Sequence, residues 1–212
     1  MKTILCYGDS NPWGFNPATR DRYEPDIRWP GVLRAELGPD FSIVEEGLCG
    51  RTTVWEDPIE NHMSGADYLI PCLQTHRPVD LVIIMLGTND LKYRFHVGAS
   101  DIARSVARLA EIIGDSHCGP GQEGTSPKVL AACPAPILEV EAFSDMFRGG
   151  AWKSRRFRAE FGRAGAERGF PVFYVEDVAS SSPIDGIHLE REAHAAIGRA
   201  IAPEVRAALN RA

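Results

Sequence analysis

The chain has 212 residues, 44% of them hydrophobic, a formal net charge of -6 and an isoelectric point near 5.5. That length and apolar share suit one α/β domain over 1–212 with a buried core, and the acidic balance excludes the basic surface needed to neutralise nucleic acid or an anionic membrane. The longest apolar run, residues 81–86, falls far short of the roughly 20 residues that cross a bilayer, and residues 4–7 lead straight into Gly8-Asp9, leaving no apolar stretch for a secretory leader.

Residues 3–7 form a short apolar run ending in a glycine turn, the pattern of a buried first strand. Residues 29–38 follow with apolar side chains at helical spacing, Pro30 near the start and Gly38 at the end; residues 41–44 then complete a β-α-β unit. Residues 80–86 are dense in β-branched side chains between Pro78 and Gly87, which predicts a central strand buried on both faces. Ile102, Val106, Leu109, Ala110 and Ile113 share one face of a helix. Residues 114–127, rich in Gly, Ser and Pro, read as a surface loop, and Gly119-Pro120-Gly121 as a turn rather than a phosphate cradle. Strands at 128–132 and 172–175 and helices over 151–168 and 190–209 complete the alternation. The expected fold is a three-layer α/β/α, flavodoxin-like, doubly wound parallel sheet of about five strands in the order 2-1-3-4-5. Two connections, 51–78 and 134–150, are longer than a crossover needs, and long ordered loops often carry function.

Cys6, Cys49, Cys72, Cys118 and Cys133 are odd in number and scattered, so neither a disulfide framework nor a zinc knuckle is expected, and a reducing cytoplasm fits. Cys72 and His76 stand four apart, but no second pair at ligand spacing accompanies them, so no metal is expected.

In an open parallel sheet, ligands bind beyond the carboxyl ends of the strands. The segments there are Gly8-Asp9-Ser10-Asn11, Gly47-Leu48-Cys49-Gly50-Arg51, Gly87-Thr88-Asn89-Asp90 and Asp185-Gly186-Ile187-His188-Leu189. Each taken singly also suits an ordinary turn or helix cap; their succession at strand ends is what points to a site. A serine hydroxyl needs a base to take its proton, and the base needs a third group to fix its tautomer. Asp185 and His188, three apart in a turn, supply that pair for Ser10. The backbone N–H groups of Ser10 and Gly50 and the Asn89 amide supply donors for an oxyanion. The chemistry so assembled is two-step acyl transfer through an acyl-enzyme, which needs no cofactor. His62, His76, His96, His117 and His194 lack such a partner and are expected at the surface or in packing.

These blocks resemble the SGNH hydrolases, also called GDSL lipases and esterases: Ser10, Gly50, Asn89 and His188 match the four residues for which that superfamily is named. Gly8-Asp9-Ser10-Asn11-Pro12-Trp13-Gly14, Glu45-Glu46-Gly47-Leu48, Arg51-Thr52-Thr53 and Ile84-Met85-Leu86-Gly87-Thr88-Asn89-Asp90 are similar to the bacterial arylesterase and acyltransferase branch. The resemblance implies hydrolysis of small short-chain and aryl esters, with water, an alcohol or hydrogen peroxide as acyl acceptor. It also implies a homo-oligomer, a dimer or larger up to an octamer, that narrows the active-site entrance. Pro12 departs from the pattern, which commonly has Thr or another non-proline residue there, and its ring removes one N–H from the nucleophile turn.

For the substrate pocket, Trp13 is a candidate for the alcohol side. Ile137, Leu138, Val140, Phe143, Met146 and Phe147 make a cluster too apolar for a solvated loop, expected to line the acyl pocket, a subunit interface or both; Trp55 shares that ambiguity. Cys49 is expected to pack under the oxyanion loop. The rival readings are a carbohydrate-ester deacetylase or thioesterase using the same triad, and a non-catalytic flavodoxin-like module holding an anion at a helix N-terminus, to which the Asp185/His188 pair would be superfluous.

Overall fold

The computed structural model describes residues 1–121 and 124–211. Five parallel strands, β1 (Lys2–Gly8), β2 (Phe41–Gly47), β3 (Leu81–Met85), β4 (Lys128–Cys133) and β5 (Val172–Tyr174), form one sheet, as the alternation of strand and helix patterns predicts, in the expected flavodoxin-like order β2-β1-β3-β4-β5. The first turn, α1 (Ser10–Trp13), follows β1 directly. The longer helices are α2 (Trp29–Leu37), α3 (Gly65–His76), α4 (Ala99–Gly114), α6 (Phe157–Arg168) and α7 (Arg191–Asn210), with the short α5 (Gly150–Ser154) before α6.

Alternation along the strands divides the core. Ile4 and Cys6 of β1, with Leu81, Ile83 and Met85 of β3, meet Trp29, Leu33, Ile197 and Ile201 from α2 and α7. Leu5 and Tyr7, with Val82 and Ile84, meet Leu69, Leu73, Ile102, Val106 and Phe161 from α3, α4 and α6 on the other face. Every residue of β3 is buried, which is what a central strand covered by helices on both faces requires. Burying each such aliphatic side chain contributes about 1.5–3 kcal/mol.

Two elements differ from the sequence expectation. Residues 51–78 are not one long loop, because α3 occupies their second half. Its N-terminus is capped by Ser64, whose hydroxyl accepts from the Asp67 N–H at 3.4 Å, and Pro71 lies inside it. That interior proline breaks the sequence pattern of a helix, yet burial of Leu69, Cys72 and Leu73 holds the segment helical. The helix expected over 151–168 is interrupted between α5 and α6. Ser154 Oγ donates to the Ala151 carbonyl and accepts from the Ile137 N–H, both at 3.0 Å, tying the chain to the loop after β4 and ending the first piece. In the Gly-, Ser- and Pro-rich stretch 114–127, residues 122 and 123 lie outside the described residues. Among the described residues, no helix is long and apolar enough to cross a membrane.

The strand ends are levelled by register: Gly8 lies opposite Gly47 on one side and Met85 on the other. A side chain at Gly8 would run into Pro12 and the Met85 carbonyl, at 2.4 and 2.5 Å, and one at Gly47 into the Trp13 backbone at 2.3 Å. The two glycines therefore let α1 sit directly on the strand ends, at the switch point between β1 and β3.

Candidate active site

Ser10 is the first residue of α1, set immediately beyond β1. Asp9 caps the turn, its Oδ1 accepting from the Asn11 N–H at 2.9 Å, and the Gly14 and Phe15 N–H groups both close on the Ser10 carbonyl. Pro12 is the third helical residue, one of the positions whose N–H has no partner within a helix and would otherwise donate to the capping side chain; Asp9 Oδ2 is buried with no hydrogen-bond partner among the described residues.

The loop 182–188 brings up the second half of the site. The Ile187 and His188 N–H groups both donate to Asp185 Oδ1 at 3.0 Å, leaving Oδ2 for His188 Nδ1 at 2.6 Å. His188 Nε2 lies 2.9 Å from Ser10 Oγ. Burial pushes the Asp185 carboxyl up, but the hydrogen bonds from the His188 ring and backbone, the charge of that ring and the Ile187 N–H together hold it below its ordinary value. Phe15 lies against the imidazole with ring centroids 4.2 Å apart, and Asn11 Nδ2 reaches the Ile187 carbonyl at 3.4 Å, linking the two halves. Ser10, Asp185 and His188 are all buried.

The third part is the loop after β2. Leu48 N–H and Arg51 Nη1 both donate to the Gly8 carbonyl, at 3.0 and 2.9 Å, and the Arg51 guanidinium lies 4.3 Å over the Tyr7 ring. Gly50 is held at φ 87°, where an L side chain is strained, and a Cβ there would meet Glu60 and Met63 at 2.8 and 3.0 Å. Asn89, in the turn after β3, donates one Nδ2 hydrogen to the Arg51 carbonyl at 3.1 Å and keeps the other free of that bond. Neither the Ser10 nor the Gly50 N–H is engaged by another described residue. Behind this layer, Asp90 is fully buried and accepts from the Thr53 N–H and hydroxyl. Burial pushes the Asp9 and Asp90 carboxyls up to about 6 in spite of their hydrogen bonds.

A cavity of about 210 Å³ opens on Ser10, His188, Gly50 and Asn89, with Phe15, Phe143, Met146, Phe147 and Ile187 forming its apolar lining. Of the pocket residues expected from sequence, Phe143 lines it and Trp13 and Ile137 do not. Trp13 turns away to lie under Arg22, whose guanidinium is 5.0 Å from the indole, because the turn through Gly14 places Phe15 on the imidazole instead. Ile137 is buried in the core under Gly150. Cys49 does not pack beneath the loop. It is exposed and lines the cavity, its thiol pushed up to about 11 by partial burial and the Asp9 carboxylate. Glu60 and Lys92 also line the cavity, and nothing in their sequence spacing signals it.

Among the described residues, one group has side chains close enough to hold a metal ion, Glu46, Cys72 and His76, whose possible ligand atoms lie within 4.8 Å of one another outside this cavity. His76 Nε2 and Glu46 Oε1 already pair at 2.8 Å, and burial and Glu46 push the Cys72 thiol up to about 12, which disfavours a thiolate ligand. His194 is buried at the N-terminus of α2, where its Nδ1 accepts from the Trp29 N–H at 3.2 Å; burial pushes it down to about 3.

Comparison with known proteins is consistent with this geometry. The model of the GDSL-like lipase/acylhydrolase family matches residues 6–196. The structure of the native M. smegmatis aryl esterase is 40% identical and superposes with a TM-score of 0.93, covering 98% of this chain and 100% of that one. A carbohydrate acetylesterase family member from Sinorhizobium meliloti is 37% identical, with a TM-score of 0.94 over the whole of both chains. An acetylxylan esterase of Xylanibacter ruminicola is 25% identical over 148 residues, 64% of this chain; the match spans only 29% of that longer protein.

Proposed function

The chain belongs to the GDSL-like lipase/acylhydrolase family, and from that premise we propose that it is a serine carboxylic ester hydrolase acting on small short-chain and aryl esters. Ser10 is the nucleophile, His188 the general base and acid, and Asp185 the group that orients the imidazole. The observation that carries this reading is the continuous path from Ser10 Oγ to His188 Nε2 at 2.9 Å and from His188 Nδ1 to Asp185 Oδ2 at 2.6 Å.

His188 Nε2 accepts the Ser10 proton as Oγ attacks the ester carbonyl. The developing oxyanion takes hydrogen bonds from the Ser10 and Gly50 N–H groups and from Asn89 Nδ2, donors that the tethered loop holds in place before reaction. His188 then passes its proton to the departing alkoxide, leaving an acyl-serine. Water, activated by the same imidazole, releases the acid. An alcohol or hydrogen peroxide in that position yields a new ester or a peracid, an acyl transfer favoured by the apolar lining of a small cavity.

Residues 1–212 act as one catalytic domain in this reading. Four of the five cysteines are buried and all are free, which suits a reducing cytoplasm. Trp152, Leu138 and Ile184 are exposed and suit a homo-oligomer contact.

Labelling with a fluorophosphonate tests the assignment. The intact protein is expected to take up one label, and Ser10→Ala and His188→Ala to take up none. Equal labelling of Ser10→Ala, or none in the folded intact protein, rejects it.

A further inference from the structure

Besides its aromatic lining, the Ser10 cavity carries two members of an ionic cluster, Glu60 and Lys92. Lys92 is 2% exposed although charged, and its ammonium donates to Asp57 Oδ2 at 3.2 Å and to Glu60 Oε1 at 2.9 Å. Arg94 completes the group, pairing with Asp57 Oδ1 at 2.9 Å and Glu60 Oε1 at 3.5 Å. Asp57 is saturated, because its Oδ1 also accepts the Ile59 and Glu60 N–H groups. Two anions and two cations leave the cluster neutral.

On Lys92 and Glu60, the two members of the cluster that line the cavity, one donor and one acceptor oxygen remain unspent. An ammonium has three N–H donors, and Lys92 commits two. Glu60 Oε2 takes no hydrogen bond from any described residue and lies 2.8 Å from where a Cβ on Gly50 would stand, beside the oxyanion loop. A carboxylate on the ligand would gain Lys92 but meet Glu60, and a ligand ammonium the reverse. A hydroxyl satisfies both, donating to Glu60 Oε2 while its oxygen accepts from Lys92 Nζ. We propose that Glu60 and Lys92 are specificity residues that read a hydroxyl carried close to the ester carbonyl, so that the favoured substrates are short acyl esters of a polyhydroxyl alcohol. The aromatic residues of the cavity then face the C–H surface of that alcohol, and a volume of about 210 Å³ suits a small acyl group. This assignment rests on Ser10 being the esterase nucleophile.

The test compares 2,3-dihydroxypropyl acetate with propyl acetate, which share a carbon skeleton and differ only in two hydroxyls. Their kcat/KM ratio is divided by the ratio of their hydroxide-catalysed rates, to remove leaving-group reactivity. The corrected ratio is expected to exceed about tenfold in the unaltered protein, since a site that hydrogen-bonds a hydroxyl discriminates against its absence. It is expected to fall to within about twofold of one in Glu60→Ala, with the change carried by KM. Glu60→Gln, which keeps the shape and removes the anionic acceptor, serves as the second variant should Glu60→Ala not fold. A merely structural role for Glu60 lowers kcat on both esters and leaves the ratio intact. A corrected ratio near one in the unaltered protein, or a ratio that survives both substitutions, overturns the proposal while leaving the esterase reading standing. Failure to cleave either ester, together with no fluorophosphonate label on Ser10, overturns both.

Discussion

The two sides of the Ser10 cavity are built by opposite means. The side that carries Asp185 and His188 is local: its hydrogen bonds close between residues two and three apart in one turn. The side that carries Gly50, Glu60 and Lys92 is held across the chain, by Asp57 and Lys92, 35 residues apart, and by Asp57 and Arg94, 37 apart. A turn that satisfies its own donors commits little of the surrounding structure, so its residues are free to serve chemistry. Charges brought together from distant segments are instead part of what holds the structure, because Asp57 and Lys92 are buried on the condition that their partners are present.

Substitution should separate the two. The largest effect is expected from Asp185→Asn, which keeps the shape of the turn but favours the wrong His188 tautomer. A loss of about 10⁴-fold in kcat on an aryl acetate follows, with a lowering of the unfolding midpoint smaller than that caused by Asp57→Ala. Asp57→Ala should do the reverse, leaving Lys92 and Arg94 without their shared anion and lowering stability by about 3 kcal/mol in urea unfolding. If it instead cut kcat as deeply as Asp185→Asn with stability unchanged, the contrast between the two sides would be wrong.

The smallest effect concerns pH and the support behind Ser10. Asp9 is raised by burial to about 6 from 3.8. Between those values the unfolded chain has lost a proton that the folded protein keeps, so stability falls as pH rises from about 4 to 6, by on the order of 2 kcal/mol. Asp90, raised to the same value, adds a like slope, so Asp9→Asn should make that segment of the stability profile about half as steep, and an unchanged slope would show that Asp9 does not titrate there. Asp185 acts in the other sense and in another window. Its lowered carboxyl contributes stability present above the unfolded value of 3.8 and lost as pH falls through the lower folded value.

The helices and strands that were hardest to read share a cause. β3 is announced by its β-branched run and α4 by its apolar stripe, since both patterns follow from burial of faces that repeat along the chain. In α3 the stripe formed by Leu69, Cys72 and Leu73 is obscured by Pro71, and only packing against the sheet settles the conformation. Likewise Trp13 reads as a pocket residue from its nearness to Ser10, but the turn through Gly14 points Phe15 inward and leaves the indole to Arg22.

By itself the sequence determined the alternation of strands and helices, the turn that presents Ser10 and the pairing of Asp185 with His188. Each of these depends on periodicity or on hydrogen bonds that close within a few residues. Tertiary structure alone decided that Glu60 and Lys92 line the same cavity as Ser10, that Arg51 ties the loop of Gly50 to the end of β1, and that Asp90 and Thr53 are buried together behind them. Those pairings join segments more than 30 residues apart, where spacing along the chain carries no information and only the closing of the sheet and its loops brings the charges within reach.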